Sequence, residues 1–268
     1  MEYPIRMITS SSNSKVKLVR SLQSQAKHRQ AESAFVAEGV RLVEEAAGVH
    51  WPMAFVLYDE TLSDRGQNLV AKLQAAGSVE VSPVTPELMA ELSDTETPQG
   101  ILAVLKRNLL PIPAKPNLII IADNIRDPGN MGTILRTAEG SGANAVLLSP
   151  GTVDAFSPKV IRAGMGAHFH LPIFPQHWDV IQKTLSNLPV YLSESSGGIP
   201  LWQANFRQPC ALLIGGEAFG ASQYSLSIAT HRITIPMQGR VESLNAAVAA
   251  GILMAEVLRQ RYQATEEH

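Results

Sequence analysis

Residues 118–136, LIIIADNIRDPGNMGTILR, contain the pattern that decides the fold class. The stretch begins with a short apolar run, Leu118–Ala122, of the kind found in strands that are covered on both faces of a parallel sheet. Pro128 and Gly129 then predict a tight turn, and Asn130 is placed to cap the helix that follows. A buried strand, a turn and a helix in this order predict one unit of a mainly parallel α/β sheet.

The same alternation of strands and helices continues to the C-terminus. Further apolar runs predict strands at Ala145–Ser149, His170–Phe174, Val190–Ser193, Ala211–Gly215 and Arg232–Met237. The longest predicted element is a C-terminal helix over Ser243–Gln263. Residues 117–268 therefore predict one domain with a mainly parallel sheet flanked by helices.

Residues 1–107 predict a second, smaller α/β domain. Its expected strands are Ala34–Ala37, Ala54–Tyr58, Val79–Val84 and Gly100–Leu105, and its expected helices are Ser14–His28, Arg41–Ala47, Leu69–Ala76 and Pro86–Leu92. The two domains are separated by residues 108–116, which contain three prolines that continue neither a helix nor a central strand. We therefore expect an interdomain linker there, because 268 residues favour two domains, with one large domain as the alternative.

Composition excludes several classes of protein. Hydrophobic residues make up 45% and charged residues 17%, which is enough apolar material for a core and too little charge for a disordered chain. The single Cys210 forms no internal disulfide or Cys-rich zinc site, and His168 and His170 have no third ligand in view, so no metal is implied. No apolar run approaches the roughly 20 residues that cross a bilayer. Because residues 1–31 contain no apolar leader either, we expect a cytoplasmic protein without a membrane span.

Positive charge is concentrated at the N-terminus of an otherwise slightly acidic chain. Residues 1–31 carry six basic side chains and one acidic side chain, Glu2, whereas the whole chain has a formal net charge of −2. Such a segment is compatible with contact with a phosphate backbone, although charge alone favours a solvated helix face. Charge alone does not exclude either interpretation.

Three segments stand at the carboxyl ends of predicted strands, where open α/β sheets bind ligands. They are DNIRDPGNMGTILR at 123–136, IGGEAFG at 214–220 and IPMQGRVESLN at 235–245, the last followed by the Ala-rich AAVAAGILMAEVL. The dinucleotide pattern GxGxxG, the phosphate-loop pattern GxxxxGK and the hydrolase pattern GxSxG are all missing. Taken singly, each segment also has a plain interpretation as a capped helix, a strand-to-helix loop or a helix-packing face.

Taken in order, the three segments resemble the motifs of the SpoU family of RNA 2'-O-ribose methyltransferases, a TrmH-like family of the SPOUT class. The matching patterns are DPGNxGxxxRTAxxxG, GGExxG and IPMxGxVxSLN, and the likeness covers residues 117–262. The segments ITSSSNSKVKLVRSL, FVAEGVRLVEEA and SDTETPQGILAV resemble the family's substrate-binding domain, which is similar in fold to a small ribosomal protein. The resemblance implies a trefoil knot in the C-terminal domain, a homodimer formed through the knot region, and an RNA substrate.

The resemblance also implies a cofactor and a set of site residues. S-adenosylmethionine would be held by Gly215, Gly216, Ile235, Met237 and Leu244. Arg136 would clamp the target phosphate from the neighbouring subunit and polarise the ribose 2'-hydroxyl. The residues that would orient the ribose, the arginine and the knot loop are Asn130, Glu217, Ser243 and Asn245. The expected RNA contacts of the N-terminal domain are Lys15, Lys17, Arg20, Lys27, Arg29 and Arg41.

Two departures from the family pattern limit this transfer of roles. The second motif reads GGE where GNE is frequent, and Ala246 and Ala247 stand where Val-Ser is usual.

Ribosomal RNA is the expected substrate, and transfer RNA is the second candidate. Two competing hypotheses about function are a non-catalytic RNA-binding homologue and a Rossmann-type nucleotide enzyme that uses GGEAFG as its phosphate loop.

Overall fold

A computed structural model describes residues 7–185, 188–216 and 220–266, with side chains described as far as Gln263. The chain forms two compact units, which we call the N-terminal unit (Met1–Asn108 with Phe156–Phe169) and the C-terminal unit (Leu109–Ala155 with His170–His268). Within the described residues, no helix is both long and apolar enough to span a membrane.

The helices and strands alternate along the whole chain. Before residue 108 they are α1 (Ser14–Ser24), α2 (Ala26–Ala31), β1 (Ala34–Glu38), α3 (Val40–Gly48), β2 (Met53–Tyr58), α4 (Asp64–Ala76), β3 (Glu80–Pro83), α5 (Pro86–Leu92) and β4 (Ile101–Lys106). After residue 116 they are β5 (Leu118–Asp123), α6 (Pro128–Gly140), β6 (Ala145–Leu148), α7 (Pro158–Gly164), β7 (Ile173–Pro175), α8 (Trp178–Thr184), β8 (Val190–Glu194), β9 (Ile199–Pro200), β10 (Cys210–Gly215), α9 (Gln223–Ile228), β11 (His231–Thr234) and α10 (Ala246–Glu266).

The N-terminal unit has a four-stranded mixed sheet in the order β1-β4-β2-β3. Strand β4 pairs antiparallel with both of its neighbours, and β2 pairs parallel with β3. The buried face of α1, formed by Val16, Val19 and Leu22, packs with side chains of α5 and of the sheet in one apolar cluster. This is the small α/β domain that the sequence predicts.

The predicted helix over Ser14–His28 is broken into α1 and α2. Gln25 lies between them in an extended conformation, with φ −131° and ψ 118°. The Arg29 guanidinium returns to the end of α1 and donates to the main-chain carbonyls of Leu22 and Gln23, the latter at 3.2 Å. An arginine that satisfies carbonyls left open by a helix end stabilises the break.

One segment from the second half of the chain packs in the N-terminal unit. It contains α7, and its Phe156 ring lies 5.2 Å from the ring of Phe35 and under the guanidinium of Arg107. Arg162 donates to Asp94 at 2.7 Å. By packing, residues 156–169 therefore group with the N-terminal unit, whereas the sequence predicts that they belong to the domain at 117–268.

The C-terminal unit is built on a seven-stranded sheet in the order β7-β6-β5-β10-β8-β11-β9. All of its pairings are parallel, so all the strands end at one edge. Ile119 and Ile121 pack with α8 on one face, and Ile120 between them is fully buried as well, so the sheet is covered on both faces. The predicted α/β class with a mainly parallel sheet is confirmed, whereas the trefoil knot stays a prediction.

Candidate functional site

A cavity of about 450 Å³ opens at the carboxyl edge of the seven-stranded sheet. Its wall is formed by the segments that follow β8, β10 and β11 and by the first turn of α10. The lining residues are Ser193, Glu194, Ser195, Ser196, Ile214, Gly215, Gly216, Gly220, Ala221, Arg232, Ile235, Met237, Glu242, Ser243, Leu244, Ala246 and Ala249. The volume is within the usual range for a small-molecule site, about 300 to 1,000 Å³.

All five residues predicted to hold a cofactor lie in the wall of this cavity. They are Gly215, Gly216, Ile235, Met237 and Leu244. Residues 214–216 and 235–244 are far apart in sequence, and the parallel order of the sheet brings them to the same edge. Their proximity agrees with the expectation, and their role in binding stays a prediction.

The two glycines at the end of β10 allow close backbone contacts, which Gly216 makes with the first motif and Gly215 makes with Gly220 of its own motif. A Cβ atom on Gly216 would stand 2.4 Å from the main-chain oxygen of Asn124, and one on Gly215 would stand 3.0 Å from the carbonyl carbon of Gly220. The Gly220 amide donates to the Gly216 carbonyl at 3.2 Å. A larger residue at Gly216 would therefore push the two motifs apart.

The first and third motifs are joined by a pair of asparagines. The Asn245 side-chain amide donates to Oδ1 of Asn130 at 2.9 Å. The Asn245 Oδ1 accepts from the backbone amides of Ala247 at 2.9 Å and Val248 at 3.2 Å, which makes Asn245 the cap of α10. This helix consequently begins at Ala246 and not at the predicted Ser243.

The prediction that Asn130 caps α6 is wrong. Asp127 is the capping residue, and its carboxylate accepts from the Asn130 backbone amide at 2.7 Å. Pro128 takes the first helical position, where its missing N–H is no loss, so the cap moves one residue before the proline. The Asn130 side chain is thereby available for Asn245.

The other predicted catalytic residues have different surroundings. Arg136 lies on α6 with its side chain exposed, and among the described residues none hydrogen-bonds or ion-pairs with it. Ser243 is exposed and lines the cavity. Glu217 lies outside the described residues.

Sequence reasoning missed the part of the cavity wall that β8 and β11 contribute. Glu194 and Arg232 form a bidentate ion pair there. Nη2 of Arg232 donates to Oε1 of Glu194 at 2.9 Å, and Nε of Arg232 donates to Oε2. Hydrogen bonding and charge attraction from Glu194 raise the pKa of Arg232. The available signal was the stretch ESSGG at 194–198, because it follows the carboxyl end of a predicted strand.

The cations predicted to contact RNA fall into a paired, a buried and an accessible group, and Lys15 and Arg20 belong to the paired group. The ammonium of Lys15 donates to Ser82 at 2.9 Å and forms an ion pair with Glu80. The guanidinium of Arg20 pairs with Glu91 at 2.5 Å. In the protein without RNA, both side chains are therefore already bound to a carboxylate, which a phosphate of the RNA would have to replace.

Arg29 requires a correction as a candidate RNA contact. It is only 5% exposed, because its guanidinium is used at the end of α1, and no surface remains for a phosphate. Lys17, Lys27 and Arg41 are exposed, and within the described part of the chain no carboxylate pairs with them. These three cations form the accessible group.

Two observations bear on other chemistry. Among the described residues, no group of three His, Cys, Asp or Glu side chains is placed to hold a metal ion. Burial raises the pKa of the Cys210 thiol to about 11, although the nearby Arg261 opposes the rise. At neutral pH this thiol is protonated and is not an activated nucleophile.

Comparisons with known proteins agree with the motifs. Residues 117–255 match the SpoU rRNA Methylase family, and residues 13–103 match the MRM3-like substrate binding domain. The 23S rRNA (guanosine(2553)-2'-O)-methyltransferase RlmP of Bacillus subtilis is 32% identical, with 93% of this chain and 98% of that protein covered.

Solved structures with bound cofactor share the fold. An AdoMet-bound rRNA methyltransferase from Sinorhizobium meliloti has a TM-score of 0.84 and 30% identity, covering 95% of this chain and 97% of that one. The SpoU methyltransferase AviRb from Streptomyces viridochromogenes, in complex with AdoMet, has a TM-score of 0.83 and 27% identity, covering 94% of this chain and all of that one (100%). The resemblance inferred from the three motifs is confirmed, and the chain belongs to the SpoU rRNA methylase family.

Proposed function

We propose that this protein transfers a methyl group from S-adenosylmethionine to a ribose 2'-hydroxyl of ribosomal RNA. The observation that carries the proposal is the cavity at the carboxyl edge of the sheet, whose wall contains the predicted cofactor residues of the second and third motifs. The hydrogen bond between Asn130 and Asn245 joins the first motif to the third at the start of α10. Family membership and the rRNA methyltransferases named among the relatives support the choice of substrate.

The chemistry of the cavity wall fits this methyl donor. Ile235, Met237 and Leu244 supply an apolar surface suited to an adenine ring, and backbone groups at Gly215 and Gly216 can bind its polar edge. The Glu242 carboxylate suits a ligand that carries a positive sulfonium. Arg232 in the same wall is already bound to Glu194, so the described lining residues offer no unpaired arginine for a phosphate. When bound, the donor supplies an electrophilic methyl group.

The residues of the chain would act mainly by positioning. The 2'-hydroxyl must lie in line with the methyl group, and its proton is too weakly acidic to leave unaided at neutral pH. The exposed Arg136 guanidinium would clamp the neighbouring phosphate and polarise the hydroxyl, and the phosphate would relay the proton to solvent. Asn130 and Asn245 would hold the two motifs in register, while Ser243 and Glu217 would orient the ribose.

A homodimer is part of the proposal. An apolar stripe on α10, formed by Val248, Ile252, Leu258 and Tyr262, is exposed to solvent, with 70% of Tyr262 accessible. Exposed apolar stripes of this kind are usually covered by another protein surface. A second copy of the chain would cover the stripe and bring its Arg136 to the cavity of the first.

The N-terminal unit would bind the RNA. The support for this assignment is the match to a substrate binding domain and the exposed cations Lys17, Lys27 and Arg41. In this division of work, residues 1–107 recognise RNA, residues 108–116 link the domains, and residues 117–268 carry out transfer. The cytoplasmic location expected from the sequence is kept as part of the proposal.

Calorimetric titration with S-adenosylmethionine, followed by methyl transfer to ribosomal RNA made without modifications, tests the function. We expect binding and transfer, and 2'-O-methyl mapping then gives the nucleotide. Methylation of unmodified transfer RNA, with none of ribosomal RNA, would favour transfer RNA as the substrate. A chain that binds RNA but neither binds nor uses the donor would be a non-catalytic homologue, and the proposal would be wrong.

A further inference from the structure

The C-terminal unit contains a buried carboxylate that the proposed mechanism does not use. Asp123 is the last residue of β5 and is only 1% exposed. It lies beside Gly215 in the parallel pairing of β5 with β10. Gly215 lines the cavity, so Asp123 is one strand away from the proposed cofactor site.

The carboxylate binds two separate parts of the fold. Its Oδ1 accepts from the Ser149 hydroxyl at 2.9 Å, just after β6. Its Oδ2 accepts from the Ser222 backbone amide at 2.9 Å and from the Ser225 hydroxyl at 2.5 Å. All three partners are hydrogen-bond donors without charge.

The Oδ2 contacts fix the segment that returns from the cavity. Ser222 caps α9 by accepting from the Ser225 backbone amide at 3.2 Å. Gly220 and Ala221, immediately before the cap, line the cavity. Asp123 therefore holds the residues that connect the cavity wall to α9.

The position of Asp123 also affects the first motif. The chain turns at Asn124, where φ is 56°, and the Asn124 backbone amide donates to the Ser149 hydroxyl at 3.1 Å. The Asn124 carbonyl oxygen is the atom that a side chain at Gly216 would strike. Asp123 and Ser149 thus fix the main chain against which the second motif packs.

An ionised carboxylate in a buried position is costly unless hydrogen bonds satisfy it, and an apolar residue would fill the same place without that cost. We propose that Asp123 is a positioning residue, which holds the segment from Gly220 to Ser225 against the cavity and so determines the affinity for the methyl donor. This inference rests on the proposed function for the identity of the ligand. Its structural part, the anchoring of the segment, does not depend on that function.

Asp123→Asn keeps the shape of the side chain and removes its charge. Hydrogen bonds to a charged acceptor are about twice as strong as hydrogen bonds between neutral groups, so the bonds from Ser222 and Ser225 weaken in this variant. The segment 220–225 then detaches more often, and the fraction of molecules able to bind the donor falls. We expect the affinity for S-adenosylhomocysteine, measured by calorimetry, to fall about tenfold. Hydrogen exchange at residues 220–226 should accelerate by a similar factor.

Ser225→Ala and Ser227→Ala form a matched pair, because each removes one serine hydroxyl from α9. The Ser225 hydroxyl donates to Asp123, whereas the exposed Ser227 hydroxyl donates to the Tyr224 carbonyl. We expect Ser225→Ala to raise the KM for S-adenosylmethionine about threefold to fivefold with little change in kcat, and Ser227→Ala to leave this KM within about twofold. The pair also carries the test if Asp123→Asn does not fold.

The outcomes separate the inference from the proposed function. Equal effects of the two serine variants on KM, or unchanged exchange at 220–226 in Asp123→Asn, would overturn the positioning role. If the unaltered protein binds no donor while Asp123→Asn still accelerates exchange at 220–226, the proposed function fails and the anchoring is supported.

Discussion

Arg136 has an exposed side chain, and no described residue hydrogen-bonds or ion-pairs with it. Such a guanidinium is available to a ligand or to a second subunit. We predict that Arg136→Ala lowers methyl transfer at least about a hundredfold, because a charge that stabilises the transition state is lost. Calorimetry should find donor binding nearly unchanged. A comparable loss of donor affinity would contradict the assignment of Arg136 to RNA.

Gly216 also acts at the scale of single residues, because it has no Cβ atom and the backbone at Asn124 can approach it closely. We predict that Gly216→Ala destabilises the protein by about 1 to 3 kcal/mol, because the new methyl group meets the Asn124 carbonyl oxygen and forces the backbone to move. Donor binding should fall with it. Gly140→Ala is the control, since a Cβ at Gly140 has no neighbour within 4 Å. Thermal unfolding of both variants measures the difference, and equal melting temperatures would show that the close approach is not needed.

At the scale of elements, Asn245 combines a helix cap with a link between two motifs, and substitution can separate the two roles. Asn245→Asp keeps an oxygen for the amides of Ala247 and Val248 but loses the N–H that binds Asn130. We predict near-normal stability, because a carboxylate suits a helix N-terminus. We also predict a loss of methyl transfer, because the bond between the first and third motifs is removed. Asn245→Ala loses the cap as well and should cost about 1 kcal/mol in the free energy of unfolding.

Chemical denaturation and methyl-transfer rates, measured on both Asn245 variants, separate the two effects. Full activity in Asn245→Asp would mean that the bond to Asn130 plays no part in the reaction. A large loss of stability in the same variant would mean that the cap, and not the link, had been damaged.

The helices of the N-terminal unit provide a second prediction at this scale. Lys17 and Lys27 are exposed and have no described acidic partner, whereas Lys15 is bound to Glu80 and Ser82. We predict that Lys17→Glu with Lys27→Glu weakens RNA binding and lowers the log–log salt slope by about one for each lost phosphate contact. Arg65→Glu is the control, because Arg65 is paired with Glu44. Filter binding at several salt concentrations makes the measurement, and an unchanged slope would show that α1 and α2 present only a solvated surface.

The sequence predicts the elements of this fold better than the contacts between them. Apolar runs such as Leu118–Ala122 and Ala211–Gly215 predict the central strands correctly. A strand that is buried on both faces is continuously apolar, so the local sequence is enough to recognise it. The cap at Asp127 was missed because Asp and Asn both suit that role and only the backbone decides between them.

The misses at the candidate site have the same origin. Glu194 and Arg232 were not foreseen as cavity residues, because their pairing depends on the neighbouring positions of β8 and β11 in the sheet. Arg29 was assigned to RNA from its charge, although the break at Gln25 turns it into the protein. Gly215, Gly216 and Leu244 do line the cavity, where local pattern and family resemblance both predict a site, and their roles stay predictions.

For the whole molecule, the exposed stripe on α10 and the exposed Arg136 lead to one hypothesis. If a second copy covers Val248 and Ile252, each cavity is completed by the arginine of the other subunit. Light scattering should then show a dimer, and Val248→Asp with Ile252→Asp should give a monomer that transfers no methyl group. An isologous contact of this kind produces two equivalent sites in each dimer.

Mixing a variant that lacks the arginine with a variant impaired in donor binding tests whether the sites are shared. In a heterodimer of Arg136→Ala with Gly216→Ala, one cavity keeps its glycine and receives an intact arginine from the other subunit. Random reassembly of equal amounts makes half of the dimers mixed, with one working site in two, so about a quarter of the normal activity should return. If Arg136 served the cavity of its own chain, no site in any mixture would be complete. Activity measured after joint unfolding and refolding decides between the two arrangements, because only a shared site gains activity from mixing.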